Sequence, residues 1–317
     1  GGTYTCSTPS VALTSTTNAV NPTYAWTGPS GFTSALQNPV ANVSGNYTVV
    51  VTDGNTGCTN SAVAEVIANT AVPGASTSSG VLTCVVDSVT LGGASPAPNP
   101  QFAWTGPNGF ASSLSNPTVI EAGTYLLVVT GANGCTSSAT ALVPLNDTPP
   151  GAALAVPNNL NCNNATVNIT ASSTSPATVL QHNWTRPDGS MTSTGVIPVL
   201  AAGAPGNYSE VITNTENGCT SSASAAVNQT PAVTAVVGTV SNALCFGQQN
   251  GSASVTPGGG NGAYTYLWNT SDNTQTLNNV GAGTYTVTIT DGENCTATTT
   301  ATITQPALLT ANAASTP

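Results

Sequence analysis

Cations are almost absent from this sequence. Lysine does not occur, Arg186 is the only arginine, and His182 is the only histidine. Nucleic-acid binding relies on Lys and Arg to neutralise phosphates, and anionic membrane surfaces attract the same side chains. No apolar run reaches the length of about 18 residues that a membrane-spanning helix needs. We therefore expect neither nucleic-acid binding nor membrane insertion.

Charge of either sign is scarce. Only 4% of the residues are charged, and the net charge of −10 comes from eleven acids with almost no cations to balance them. Disordered chains usually combine high charge with low hydrophobicity, whereas 39% of this chain is hydrophobic. The polar remainder is mostly Thr, Ser, Asn and Gly. Thr and Val favour strands, and Gly, Asn and Pro favour turns, so the composition predicts an all-β protein.

Groups suited to catalysis or metal binding are few. The lone His182 stands two residues before Trp184 in a predicted strand, which favours a strand-surface or packed histidine over the base of a hydrolytic triad. The segments 53–55 (Asp-Gly-Asn) and 291–294 (Asp-Gly-Glu-Asn) carry oxygens that suit Ca²⁺, but they fit ordinary Asp-Gly turns better. Zinc is disfavoured because Cys-x-x-Cys is absent. We expect a non-enzymatic chain with no catalytic, cofactor or metal site.

Three markers recur together along the chain. Paired cysteines lie 50 to 57 residues apart, and each pair encloses one tryptophan and one Gly-x-Tyr tyrosine. The pairs are Cys6 and Cys58, Cys84 and Cys135, Cys162 and Cys219, and Cys245 and Cys295; the aromatic markers are Trp26 and Tyr47, Trp104 and Tyr125, Trp184 and Tyr208, and Trp268 and Tyr285. A period of about 80 residues indicates four tandem repeats.

Each repeat has the size and pattern of a small sandwich. Roughly seven short strands and one buried tryptophan suit an immunoglobulin-like fold of two packed sheets, with the recurring aromatic residues in its core. The predicted domains are 1–71, 72–149, 150–230 and 231–306, followed by a strand-like tail at 307–317. Only five residues precede Cys6, so the first strand of the first repeat is predicted to be incomplete.

The cysteine spacing suggests one disulfide in each repeat. Small sandwiches bury modest cores, and closing a loop of ~50 residues would add about 4 kcal/mol of stability in the chain-entropy model. We therefore expect four bonds joining sequential cysteines and none between repeats. Disulfides persist in oxidising compartments, which predicts an extracellular protein.

The fourth repeat resembles the SprB-type repeat of Bacteroidetes surface adhesins. The resemblance rests on the segments 245–247 (Cys-Phe-Gly), 251–253 (Gly-Ser-Ala), 258–260 (Gly-Gly-Gly), 264–268 (Tyr-Thr-Tyr-Leu-Trp), 281–285 (Gly-Ala-Gly-Thr-Tyr), 291–295 (Asp-Gly-Glu-Asn-Cys) and 302–306 (Thr-Ile-Thr-Gln-Pro). It implies a very long extracellular or cell-surface protein, exported by a type IX secretion system and used in adhesion or gliding.

The first three repeats look like the PKD-like, immunoglobulin-like modules of the same kind of protein. The first two share Trp-Thr-Gly-Pro-x-Gly-Phe after the marker tryptophan, whereas the third has Trp-Thr-Arg-Pro-Asp-Gly at 184–189. Asp87-Ser88-Val89 is similar to the Asp-Ser/Thr-aliphatic acceptor of Bacteroidetes O-glycosylation, which makes Ser88 a candidate glycosylation site.

One residue departs from the alternation of the third repeat. Glu210 stands on the apolar face where the first repeat has Val49, and an unpaired buried carboxylate is costly. Arg186, two residues beyond Trp184, is the predicted partner. The alternative is a local bulge that turns Glu210 outward.

The tail resembles the lead-in that precedes the later repeats. Its strand-like residues are Leu308, Leu309, Thr310 and Ala311. An incomplete sandwich invites addition of a strand, so we expect this segment to complete the first repeat of a following copy, either as a separate subunit or within a longer chain.

The predicted function is a structural segment of an extracellular fibre or giant adhesin, with copies of itself or neighbouring repeats as partners. One alternative is a lectin-like or protein-binding module whose partner is a surface glycan or protein. The other is the stalk of a secreted enzyme.

Overall fold

The computed structural model describes residues 1–314 and confirms the all-β prediction. Thirty strands account for the regular structure, with short 3₁₀ turns only at Pro29–Gly31, Pro107–Gly109 and Ala177–Val179 in the described residues. The chain divides into two compact units, Gly1–Asp147 and Thr148–Pro317, and each unit holds two of the repeats. No helix in the part of the chain described here is long and apolar enough to cross a membrane.

The first repeat packs a five-stranded sheet against a two-stranded one. The strand orders are β1-β7-β6-β3-β4 and β2-β5. The short β1 runs parallel to β7, and the other pairs are antiparallel. The strands are β1 (Gly2–Thr5), β2 (Val11–Ala12), β3 (Thr23–Thr27), β4 (Thr33–Ser34), β5 (Val40–Ala41), β6 (Gly45–Thr52) and β7 (Thr59–Asn69).

The second repeat repeats this plan with one additional strand before its first cysteine. Its main sheet has the order β13-β12-β15-β16, and three two-stranded pairings, β10-β14, β11-β8 and β17-β9, complete it. The strands are β8 (Ser76–Ser78), β9 (Leu82–Thr83), β10 (Val89–Thr90), β11 (Gly92–Ala94), β12 (Gln101–Thr105), β13 (Ala111–Ser112), β14 (Thr118–Val119), β15 (Gly123–Thr130), β16 (Thr136–Val143) and β17 (Leu145–Asn146).

The third and fourth repeats are two-sheet sandwiches. Their sheets are β21-β20-β23-β24 with β18-β19-β22, and β27-β29-β30 with β25-β26-β28. The strands are β18 (Ala153–Ala155), β19 (Val167–Ser172), β20 (Leu180–Thr185), β21 (Met191–Gly195), β22 (Val199–Ala202), β23 (Gly206–Asn214), β24 (Thr220–Val227), β25 (Thr234–Ser241), β26 (Gly251–Gly258), β27 (Thr265–Trp268), β28 (Thr276–Val280), β29 (Gly283–Thr290) and β30 (Thr296–Ile303).

Each repeat has a separate hydrophobic core, and the marker tryptophan lies in it. All four tryptophans are at most 2% exposed, as predicted. Tyr47, Tyr125 and Tyr208 are buried as well, whereas Tyr285 is only half-buried. Each tyrosine O–H donates to the carbonyl four residues earlier, at 2.8 to 2.9 Å. This bond closes the corner between two strands and explains why the tyrosine recurs.

The glycine of Gly-x-Tyr has a conformational reason in the first two repeats. Gly45 and Gly123 have φ values of 135° and 143°, which side chains rarely adopt. A Cβ atom at either position would also lie 2.6 Å from a proline ring, that of Pro29 or Pro107. Glycine therefore lets the chain turn against the proline of the Gly-Pro turn.

The predicted disulfide pairing is wrong in all four repeats. Cys6 bonds to Cys135 and Cys162 bonds to Cys295, each joining the first cysteine of one repeat to the second cysteine of the next. Cys84 and Cys219 are also disulfide-bonded, while Cys58 and Cys245 are free. Each predicted pair therefore contains at least one cysteine that either bonds to a cysteine of another repeat or is free.

Strand direction explains this correction. Thr5 lies beside Asn69 at the end of β7, whereas Cys58 precedes the beginning of the same strand. At ~3.3 Å per residue, the eleven residues of β7 place Cys6 and Cys58 roughly 36 Å apart. A disulfide needs Cα atoms within about 7 Å. The two cysteines thus lie at opposite ends of the repeat and cannot bond to each other.

The predicted Arg186–Glu210 pair is also wrong, and Glu210 does not turn outward. His182 Nδ1 lies 2.5 Å from Glu210 Oε1, with both side chains buried. The sheet register pairs Trp184 with Glu210, which brings His182 diagonally across from the carboxylate. Arg186 lies beyond the end of β20, where its guanidinium donates to Thr192 Oγ1 at 2.5 Å.

Candidate assembly site in the first repeat

A strand ahead of the first cysteine completes the second, third and fourth repeats. These lead-in strands are β8, β18 and β25, and they pair antiparallel with β11, β19 and β26. Every second residue after the preceding proline points inward. The inward residues that pack on the cores are Ala75 in the second repeat, Ala152, Leu154 and Val156 in the third, and Val233, Ala235 and Val237 in the fourth.

The first repeat has an open groove at this position. Counted from the marker tryptophans, Thr14–Thr16 correspond to Gly92–Ala94, the partner of the lead-in strand in the second repeat. Residues on β6 and β7 form the other wall. The groove has a volume of about 240 Å³ and is lined by Thr14, Ser15, Thr16, Thr17, Trp26, Val49, Val51, Asn60, Ser61, Ala62, Val63 and Ala64.

The backbone at the edge of the groove is ready to pair with a strand. The N–H of Ser15 points away and donates to Asn38 Oδ1 at 3.1 Å. In the described residues, the N–H groups of Thr14 and Thr16 donate to no other backbone group. In the second repeat, the corresponding Gly92 and Ala94 pair with Ser78 and Ser76. The edge therefore presents unpaired donors beside a groove whose lining includes Trp26, Val49 and Val51, which favours strand addition.

The tail that follows the fourth repeat forms no strand up to residue 314. Leu308 is 61% exposed and Leu309 is 93% exposed. The tail begins with the same Pro-Ala as the lead-in at Pro231-Ala232. Two residues after the proline stand Leu308 in the tail and the core residue Val233 in the fourth repeat. The predicted strand over Leu308, Leu309, Thr310 and Ala311 in a following copy stays a prediction, and residues 315–317 lie outside the described range.

One free cysteine lies next to the groove, and the other lies next to the beginning of the tail. Cys58 immediately precedes β7, whose first residues line the groove. At the other end of the chain, Gly247 N donates to Gln305 Oε1 at 2.7 Å, which ties the loop after Cys245 to the beginning of the tail. Both free cysteines are exposed, as are the bonded Cys6 and Cys162, whereas the bonded Cys135 and Cys295 are buried.

The acids considered for Ca²⁺ hold turns together. Asp53 accepts hydrogen bonds from the N–H groups of Val20, Asn55 and Thr56, all at 2.9 Å. The bond from Val20, followed by those from Thr56 and Asn55, lowers the Asp53 pKa below its ordinary value. Asp291 accepts equivalent bonds from Glu293 and Cys295. No group of three or more potential metal ligands occurs within residues 1–314.

The structure also shows the surroundings of Ser88 and His182, the two other residues singled out in the sequence. Ser88 is exposed, so its hydroxyl is accessible, and its glycosylation stays a prediction. His182 is fully buried in β20, which confirms that it is a packed residue. Sequence reasoning missed its bond to Glu210, although His182 shares the inward face with Trp184 and therefore with Glu210.

The cross-repeat disulfides had no sequence signal, because the parallel pairing of β1 with β7 is not visible in the residue pattern.

The comparisons with known proteins support the repeat assignment. Residues 237–273 match the SprB repeat. This SprB repeat lies in the fourth repeat and includes Trp268. No curated protein sequence matches the chain. The likeness of the first three repeats to PKD-like modules stays a prediction.

Among solved structures, the chain is similar to tandem immunoglobulin domains. Sidekick-1 immunoglobulin domains 1–5 share 13% identity over 96% of this chain and 78% of that chain, with a TM-score of 0.31. The N-terminal four immunoglobulin domains of Dscam1 isoform 6.44 share 12% identity over 96% of each chain, with a TM-score of 0.24. The sandwich architecture itself rests on the sheets described above. Together with the SprB repeat, it indicates a repeat region of the surface-adhesin type.

Proposed function

We propose that this chain is a non-enzymatic structural segment of an extracellular fibre or giant cell-surface adhesin, assembled head-to-tail. In this assembly, the tail of one copy enters the groove of the first repeat of the next copy as an antiparallel strand along Thr14–Thr16. The groove is the observation that carries the proposal, because the other three repeats fill the same position with a strand.

The register of the tail supports this occupant. Counting two, four and six residues from the proline gives Leu308, Thr310 and Asn312 as the inward residues. Leu308 then takes the place of Val233, against Trp26 and Val49 in the groove. Burying a leucine side chain contributes roughly 1.5–3 kcal/mol, and the strand adds backbone hydrogen bonds. Leu309 points outward and contributes little.

This alternation provides a matched pair of variants. Leu308→Asp should abolish assembly of the full 317-residue chain, because a carboxylate would be buried against the apolar side chains of Trp26 and Val49. Leu309→Asp adds the same charge to the same segment and should assemble as the wild type does. Sedimentation velocity over a range of concentrations measures both. Equal loss in the two variants would show that charge, rather than insertion of Leu308, controls assembly.

A variant on the accepting side tests the groove itself. Thr16→Pro removes a backbone donor that the incoming strand needs and leaves the tail unchanged. This variant should donate its tail to wild-type copies but accept none, so it should shorten wild-type assemblies when mixed with them. Assembly of Thr16→Pro alone into long chains would contradict the proposed groove.

A further inference from the structure

The two free cysteines fit the disulfide pairing pattern that both compact units share. Within each unit, the first cysteine of the earlier repeat bonds to the second cysteine of the later repeat, with Cα atoms 5.0 Å apart for Cys6–Cys135 and 5.7 Å apart for Cys162–Cys295. Cys245 is a first cysteine and Cys58 is a second cysteine, and both are free. They are therefore of complementary type.

Polar contacts around both bonds show how one repeat docks on the next. In the N-terminal unit, Ser7 donates its N–H to Asn133 O at 3.4 Å, beside Cys6–Cys135. In the C-terminal unit, Asn161 and Asn163 donate to the side chain and backbone of Glu293, both at 2.6 Å, beside Cys162–Cys295. In each case the loop at the first cysteine contacts the turn just before the second cysteine.

Cys58 lies on a turn that already has the conformation of a bonded one. Asp53 N donates to Cys58 O at 2.9 Å, and Gly57 N donates to Asp53 O at 2.8 Å. The third repeat has the same two bonds, from Asn214 N to Cys219 O and from Gly218 N to Asn214 O, both at 2.8 Å. Cys219 is disulfide-bonded and buried, whereas Cys58 is exposed. The turn at Cys58 therefore needs no refolding to form a bond.

We infer that Cys245 of one copy forms a disulfide with Cys58 of the next copy. This inference rests on the head-to-tail assembly proposed above, because strand donation brings the beginning of the tail, beside Cys245, to the groove, whose wall includes the first residues of β7 just after Cys58. The two thiols lose two protons and two electrons as the S–S bond forms. A small-molecule disulfide such as oxidised glutathione accepts the electrons and becomes two thiols. Assembly by strand exchange is thereby made covalent.

Two single variants test the direction of the bond. The full chain, oxidised with glutathione disulfide, should give a ladder of multimers on a non-reducing gel. Cys58→Ser retains only the first-type thiol and Cys245→Ser only the second-type thiol, so each alone should stay monomeric on that gel. Their equimolar mixture should give a covalent dimer and nothing longer. A covalent dimer from either variant alone would overturn the inference, because it would join two cysteines of the same type.

Peptide mapping identifies the bond directly. Digestion of the wild-type multimers with elastase under non-reducing conditions should yield a cross-linked peptide pair containing Cys58 and Cys245. The same pair in monomeric protein would mean closure within one chain and would also overturn the inference. Sedimentation of the unoxidised wild type separates the two proposals. If it assembles but gives no ladder after oxidation, the disulfide is wrong and strand donation stands; if neither occurs, both are wrong.

Discussion

Replacing His182 with phenylalanine should destabilise the third repeat in a pH-dependent way. Phe102 occupies the equivalent position in the second repeat, so the new ring suits the fold. The substitution removes the bond to Glu210 and leaves a buried carboxyl group without a partner. Oε2 of Glu210 already has none among the described residues, so no group is in place to compensate.

The size of the effect follows from the proton that Glu210 must then carry. Burial raises the pKa of Glu210 above its ordinary value of 4.5, and the hydrogen bond and charge of His182 oppose this rise. Without His182 nothing opposes the rise caused by burial, so we expect the carboxyl to take up a proton on folding. Taking up a proton at pH 7 costs a carboxyl group with an ordinary pKa of 4.5 about 1.4 kcal/mol for each of about 2.5 pH units, or about 3.5 kcal/mol.

The sign of the pH dependence is fixed by the direction of this shift. A carboxyl group whose pKa is raised on folding does not lower the free energy of unfolding at pH values below its unfolded-state pKa. It lowers that free energy progressively as the pH rises from the unfolded-state pKa towards the folded-state pKa. The destabilisation by His182→Phe should therefore be about 3 kcal/mol at pH 7 and largely disappear near pH 4.5. The double variant with Glu210→Val, the residue of the first and fourth repeats, should be more stable than wild type by about 1–4 kcal/mol.

Hydrogen exchange measured on peptides from β20 and β23 of the full chain reports this stability locally. Peptides from β12 and β15 of the second repeat serve as the internal control and should not change. A His182→Phe chain as stable as wild type at pH 7, or equally destabilised at pH 4.5 and pH 7, would refute the argument.

Three further predictions concern the turns and corners. Tyr125→Phe removes the O–H bond to Glu121 O at 2.8 Å and should cost about 1 kcal/mol, measured by exchange in the second repeat. Gly123→Ala should cost more than ~1 kcal/mol in the same assay, because φ there is 143° and the new Cβ would meet Pro107. Because folding lowers the pKa of Asp53, its carboxylate stabilises the turn at pH values above the ordinary pKa of 3.8. This stabilisation is lost as the pH falls through the lowered pKa. Pepsin should therefore cleave the β6–β7 hairpin faster at pH 2 than at pH 4, relative to the β15–β16 hairpin, where Gly131 replaces the acid.

Local patterns in the sequence predicted much of the fold. The period-two alternation around Tyr285, the Asp-Gly turns and the repeated tryptophans predicted strands, hairpins and buried cores, because these features depend on residues close together in the chain. Alternation also placed Glu210 correctly on the buried face. It could not identify the partner of Glu210, because His182 and Arg186 lie two residues to either side of Trp184 and alternation assigns both to that face. The two differ in that His182 lies within β20, whereas Arg186 lies beyond its end.

The sequence alone determined that four similar β-sandwiches follow one another, since the spacing of Cys, Trp and Gly-x-Tyr recurs every 80 residues or so. The tertiary structure decided which cysteines meet. Spacing along the chain measures the size of a loop but not the distance between its ends. The parallel pairing of β1 with β7 places Cys6 and Cys58 at opposite ends of a repeat, and the bonds Cys6–Cys135 and Cys162–Cys295 join neighbouring repeats instead of closing one.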